Sequence, residues 1–173
     1  MRSIVLTGFM GTGKTAVGHE VAQRLGRRFV DTDDLVVEKA GMPIAEIFER
    51  FGEAHFRALE REAIATACRI PGAIVATGGG AMMDPENRKQ LAAAGPVICL
   101  DADVDTIVAR VGADPGRPML GGGDVRARVQ ALLDARAVAY ATASHHLDTS
   151  GRSVDEVADA VIALATGKAE AVR

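Results

Sequence analysis

Gly8-Phe9-Met10-Gly11-Thr12-Gly13-Lys14-Thr15 fits the spacing G-x-x-x-x-G-K-[ST] without a mismatch. It follows a β-prone run, Ser3 to Thr7, and precedes a helical stripe of Val17, Val21 and Leu25. Strand, glycine loop and helix in that order describe a cradle for phosphate. Backbone N–H groups bind an anion only where the chain curls tightly, and glycine permits both the curl and the close approach. Lys14 then reaches the β- and γ-phosphates as a point charge, and Thr15 offers a hydroxyl to Mg²⁺. The opening helix aims its positive end at the same place. Gly11, Thr12, Gly13, Lys14, Thr15 and Ala16 are therefore the candidate nucleotide-binding residues.

The rest of the chain keeps the rhythm that this unit begins. Arg28 to Val30, Ala73 to Thr77, Val97 to Leu100 and His145 to Asp148 are further strand candidates, separated by longer helical patterns. Alternation of this kind predicts an α/β fold with a parallel sheet covered by helices. One stripe is Phe56, Leu59, Ala63 and Ala67, while Leu91 and then Val104, Val108 and Val111 suggest two more helices. Pro43 opens a short helix with Ile44, Ile47, Phe48 and Phe51, and Gly52 stands where it would end. Gly112 to Gly123 holds five glycines and two prolines, which breaks both helix and strand and predicts a mobile lid; a helix from about Asp124 to Ala141 follows. Residues 167–173 are expected to fray.

A length of 173 residues and 48% hydrophobic content suit one domain with a substantial core. With a formal net charge of -3 there is no basic field to hold nucleic acid or an anionic membrane. Cys68 and Cys99 form no CxxC pair and have no histidine at metal spacing, so both are expected in the core in a reducing compartment. The apolar start Ile4-Val5-Leu6 falls far short of a membrane span of roughly 20 residues, and a cytoplasmic location and a monomer are the expectation.

The same loop serves kinases, switches and motors, so the acceptor side must decide between them. Asp31-Thr32-Asp33-Asp34 places three carboxylates at the end of the second strand, where ligands bind in open α/β sheets. Asp31 is the candidate for holding Mg²⁺ through water, and Asp33 for orienting an acceptor hydroxyl and taking its proton; the alternative is a helix cap with first-turn acids. Arg57, flanked by Glu53 and Glu60, fits either a surface ion-pair ladder or a guanidinium fixed by Glu60 to meet a substrate carboxylate. Thr77-Gly78-Gly79-Gly80 suits a backbone that passes close to a ligand, or a plain turn. Arg117 in the lid would bring a second positive charge to the phosphates, and Arg136 would return to the cleft from the following helix. His19, His55, His145 and His146 have no joint ligand spacing and are expected to be surface or structural.

In order and spacing, GFMGTGKT, DTD, FGEAHFRALE, TGGG, RPML and LLDARAVAY resemble the shikimate kinase family, over about residues 3 to 165. The resemblance implies a three-layer P-loop kinase fold with a five-stranded parallel sheet of order 2-3-1-4-5. ATP and Mg²⁺ would be the cofactors, and shikimate the small-molecule substrate, phosphorylated at its 3-hydroxyl. It implies that Arg57 and Arg136 hold the shikimate carboxylate and that Asp33 binds the ring hydroxyls as the proposed base. Gly79 and Gly80 match the glycines that touch the substrate, with Gly78 a candidate beside them, and about residues 33–61 would form a substrate-binding segment. Asp31 would act on Mg²⁺ through water, Arg117 would belong to the lid, and Arg110 and Arg152 would lie near adenine. Two departures stand out: the lid runs through Gly121-Gly122-Gly123, and Val138 occupies a position where family members often carry proline. The rivals are a polyol or gluconate kinase with the same loop, and a nucleotide-dependent switch.

Overall fold

The computed structural model describes residues 1–111 and 123–167. Strands β1 (Ile4–Thr7), β2 (Phe29–Asp31), β3 (Ile74–Ala76), β4 (Val97–Asp101) and β5 (His145–Asp148) form one sheet of order β2-β3-β1-β4-β5, and every pairing is parallel. The helices are α1 (Lys14–Leu25), α2 (Thr32–Ala40), α3 (Ile44–Cys68), α4 (Pro85–Ala94), α5 (Val104–Val111), α6 (Val125–Tyr140) and α7 (Val154–Thr166), with a 3₁₀ turn at Ala81–Met83. Strand order and parallel pairing agree with the sequence reading, and each predicted strand falls within one residue of the observed ends.

Alternation along the strands explains the layers. In β1, Ile4 and Leu6 point to one face and Val5 to the other, and all three are fully buried or nearly so. Ile4, Leu6, Ile74, Ile98 and Leu100 pack with Val17 and Val21 of α1 and with Val157 and Val161 of α7. Val5, Val75, Val97 and Cys99 pack against Ile64 of α3, Leu91 of α4, Ile107 of α5 and Val129 of α6. Helices thus cover both faces. A smaller cluster of Val36, Ile47, Phe56 and Ala63 fixes α2 to α3 beside the sheet.

Gly52 interrupts α3 at φ 80°, ψ 176°, a backbone region open essentially to glycine alone, so the short helix begun after Pro43 is broken where the sequence placed its end. The sequence reading did not anticipate α7. Its signal is nevertheless present as a capping box: the Glu156 N–H donates to Ser153 Oγ at 3.2 Å, and the Ser153 N–H donates to Glu156 Oε2 at 2.8 Å. Helix α6 runs one residue inside the predicted bounds at each end, capped by Asp124. The expected lid over residues 112–122, with Arg117, and the tail over residues 168–173 lie outside the described residues.

The joint between α4 and β4 is tight. A Cβ added at Gly95 would stand 1.7 Å from the carbonyl oxygen of Ser3, a backbone atom that cannot swing aside. Gly95→Ala is expected to destabilise the fold by about 3 kcal/mol, since the neighbouring backbone must move rather than a side chain. A urea midpoint within error of the parent protein would contradict this packing.

Candidate active site

The carboxyl end of β1 opens into the glycine loop, and the chain reverses there because of Gly8. Its φ is 132°, and a Cβ would lie 2.2 Å from the Leu100 carbonyl oxygen. Gly13 closes the loop and caps α1 at φ 93°, ψ 13°. Thr12 is buried, with its hydroxyl donating to the Phe9 carbonyl at 2.8 Å. Lys14 lies folded across the loop, its Nζ donating to the carbonyls of Gly8 at 2.9 Å and Phe9 at 2.7 Å.

Beside it, Thr15 donates its hydroxyl to Asp31 Oδ2 at 3.1 Å, while Asp31 Oδ1 accepts from the Asp33 N–H at 2.9 Å. Asp31 therefore caps α2 and meets the loop at once, which reconciles the two readings of its sequence position. A hydroxyl and a carboxylate side by side are the hard oxygen donors that suit Mg²⁺, which takes one or two protein oxygens and fills its shell with water and phosphate.

Two residues after this cap, Asp33 turns into the cleft. The cleft has a volume of about 280 Å³ and is lined by the loop from Met10 to Ala16 apart from the buried Thr12, by Asp31 and Asp33, and by Thr77, Gly78 and Gly79. Oδ1 of Asp33 is shielded from solvent and takes no hydrogen bond among the described residues. Burial, then the charges of Asp31 and Glu60, push the Asp33 carboxyl up to about 6 from an ordinary 3.8, against the opposing pull of Lys14.

The turn after β3 collects the remaining charges. A Cβ on Gly78 would stand 2.7 Å from Asp33 Oδ1 and 3.2 Å from Glu60 Oε1. One on Gly79 would meet Arg136 at 3.1 Å, and one on Gly80 would meet both terminal nitrogens of Arg57 at 2.7 Å. Three successive residues thus lie against four charged side chains, whose ends a methyl group would displace. Arg57 donates to Glu60 Oε2 at 2.8 Å and to Glu53 at 3.3 Å, so the ladder and the fixed guanidinium coexist. Glu60 is only 1% exposed, and burial raises its pKa despite the charge of Arg57.

Arg110 donates to the Gly11 carbonyl at 3.1 Å and, near 3.3 Å, to the hydroxyl and carbonyl of Thr149. It joins the loop to the segment after β5. Arg152 is exposed and leans on the carbonyls of Asp148 and Glu156 at 3.5 and 3.4 Å, further round the same edge.

Three supports were invisible in the sequence pattern. The Phe9 ring lies beneath the Arg136 guanidinium, 5.3 Å from centroid to Cζ. Tyr140, one helical turn after Arg136, donates its hydroxyl to the Gly79 carbonyl at 2.6 Å. Thr32 accepts the Gly78 N–H at 3.2 Å. Only the i, i+4 spacing of Arg136 and Tyr140 hinted that these two share a helix face.

The family model described as shikimate kinase matches residues 10–166. The chain belongs to the shikimate kinase family. Within it, the shikimate kinase of Geobacter sulfurreducens is 50% identical over 156 residues, covering 90% of this chain and 86% of that protein. A solved shikimate kinase from Acinetobacter baumannii in complex with shikimate superposes with a TM-score of 0.93 at 32% identity, covering 97% of this chain and 94% of that one. A gluconokinase structure from Sinorhizobium meliloti 1021 reaches a TM-score of 0.57 at 18% identity over 98% of this chain and 94% of its own, a likeness of fold alone. The family uses ATP, consistent with the loop geometry above.

Proposed function

We propose that this chain transfers the γ-phosphoryl group of ATP to the 3-hydroxyl of shikimate, giving shikimate 3-phosphate and ADP. The observation that carries the reading is the Asp33 carboxyl, placed between the phosphate loop and the buried turn that also touches Arg57 and Arg136. A hydroxylated acid with its carboxylate on the two guanidiniums would present its ring hydroxyls to Asp33. Lys14 leaves its loop carbonyls to meet the β- and γ-phosphates. The acceptor oxygen forms the new P–O bond as the bond to the ADP oxygen breaks, and the hydroxyl proton passes to Asp33. One Mg²⁺ ion, held by Thr15 and through water by Asp31, would supply charge neutralisation on the phosphate oxygens. Arg110 and Arg152 edge the position for the adenine end of the nucleotide. Positioning and electrostatics account for most of the rate in such a site.

No helix among the described residues is long and apolar enough to cross a membrane. The free thiols of Cys68 and Cys99 support a reducing, cytoplasmic setting, and we take the working unit to be a monomer.

The test is ADP release with ATP and Mg²⁺, comparing shikimate, quinate, gluconate and no acceptor. Strong dependence on shikimate is expected. Activity with gluconate alone would overturn the acceptor assignment, and acceptor-independent hydrolysis would overturn the kinase reading itself.

A further inference from the structure

Strands β4 and β5 pair so that Cys99 stands directly opposite His146, and Asp101 follows Cys99 by two residues on the same face of the sheet. The sequence shows no metal spacing here, because 47 positions separate the cysteine from the histidine it meets; only the register brings them together. Cys99 Sγ donates to Asp101 Oδ1 at 3.3 Å, and Asp101 Oδ2 lies 2.8 Å from Nδ1 of His146. Thiol, carboxylate and imidazole atoms all fall within 4.8 Å of one another, the only such group among the described residues.

We propose that Cys99, Asp101 and His146 form a binding site for a divalent cation of the zinc class, distinct from the Mg²⁺ position at Thr15 and Asp31. A tetrahedral ion bound by sulfur at about 2.3 Å and by nitrogen and oxygen at about 2.0 Å holds donors a little over 3 Å apart; the Asp101 carboxylate already stands 3.3 Å from the thiol and 2.8 Å from the imidazole. One soft, one borderline and one hard donor suit Zn²⁺ or Co²⁺ and do not suit Mg²⁺, which calls for oxygen throughout. Access is provided from one side. Asp101 and His146 line an open pocket of about 560 Å³, shared with Asp134 and Tyr140, so a fourth position faces solvent and a further carboxylate. Three protein donors with an open fourth position describe an exchangeable site rather than a closed structural one. Burial, and then the Asp101 charge, push the Cys99 thiol up, so it carries its proton until an ion displaces it.

The site also touches the nucleotide side. The Asp101 carbonyl accepts both the Thr149 N–H at 2.8 Å and the Thr149 hydroxyl at 3.0 Å, and Thr149 holds Arg110 against Gly11. An ion fixed on Asp101 would stiffen this connection.

The full chain, free of nucleotide, is titrated with Co²⁺ alone and then with Zn²⁺. One equivalent of Co²⁺ should give a thiolate-to-metal charge-transfer band, with proton release, and Zn²⁺ should remove the band by displacement. Cys99→Ala should abolish the band. His146→Ala, at an exposed position that does not endanger folding, should weaken Zn²⁺ binding measured by equilibrium dialysis at least about tenfold while leaving zinc-free turnover with Mg²⁺ and ATP unchanged. Absence of the band in the parent protein, or equal Zn²⁺ affinity in the parent and His146→Ala, would overturn the assignment.

Discussion

Asp33→Asn should lose turnover by a factor of about 10² to 10⁴ while binding ATP with nearly the parent affinity. The replacement keeps shape and hydrogen-bonding reach but cannot accept the proton released when the acceptor oxygen bonds to phosphorus. Single-turnover phosphoryl transfer and nucleotide binding by fluorescence separate the two quantities. A variant that retains most of its turnover would remove Asp33 from the chemistry.

The same variant should be more stable than the parent at neutral pH. The Asp33 carboxyl sits at about 6 in the folded protein against an ordinary 3.8, chiefly through burial and then through Asp31 and Glu60. Its charged form is therefore disfavoured by folding. Below 3.8 folded and unfolded chains both hold the proton, and this residue makes no difference between parent and variant. As pH rises from 3.8 to about 6 the unfolded parent ionises while the folded carboxyl still holds its proton, and the parent's stability falls relative to Asp33→Asn. The gap should reach on the order of 2 kcal/mol and then level off. Denaturant midpoints at several pH values would show it; a gap that shrinks with rising pH would mean that Asp33 is stabilised in its charged form.

Arg136→Met should raise the shikimate KM by roughly 10² to 10³, the equivalent of about 3–4 kcal/mol, for removing one member of a desolvated charge pair. Methionine preserves the unbranched stem above Phe9 and loses only the fork. Arg136 is 4% exposed and close to Gly79, while the ATP-binding loop contacts it through an aromatic ring rather than through phosphate-binding atoms. The ATP KM should therefore change little. Equal losses for both substrates would point to a general collapse of the cleft, and an unchanged shikimate KM would remove Arg136 from the acceptor site.

Much of the fold was legible because its signals are local. A period-two apolar run or a glycine loop before an amphipathic stripe depends on neighbours in the chain, and the strands and α1 fell where those signals put them. The phosphate loop was readable for the same reason. Arg57 and Arg136, by contrast, were assigned by family likeness, since nothing in the spacing of residues so far apart says that both reach the turn at Gly78 to Gly80. Phe9 illustrates the limit well. As an unspecified position of the loop motif it carries no signal, yet its ring is 1% exposed and supports a guanidinium delivered by α6. Helix α7 was missed although its signals are local too: Ser153 and Glu156 announce its start, and Val154, Val157, Ala158 and Val161 stand at helical spacing.

The turn at Gly78, Gly79 and Gly80 has a consequence for how this protein can change over generations. Each of the three positions answers to a different keeper: Asp33 with Glu60, then Arg136, then Arg57. A methyl group at any one of them displaces a charged group, and because Arg57 and Glu60 are joined by a hydrogen bond, a shift forced at Gly80 is felt at Gly78 as well. Divergence among descendants of this chain would be diverted to outward-facing surfaces such as Val138, which is 83% exposed, because change at any of these three adjacent positions disturbs a charged group of the cleft.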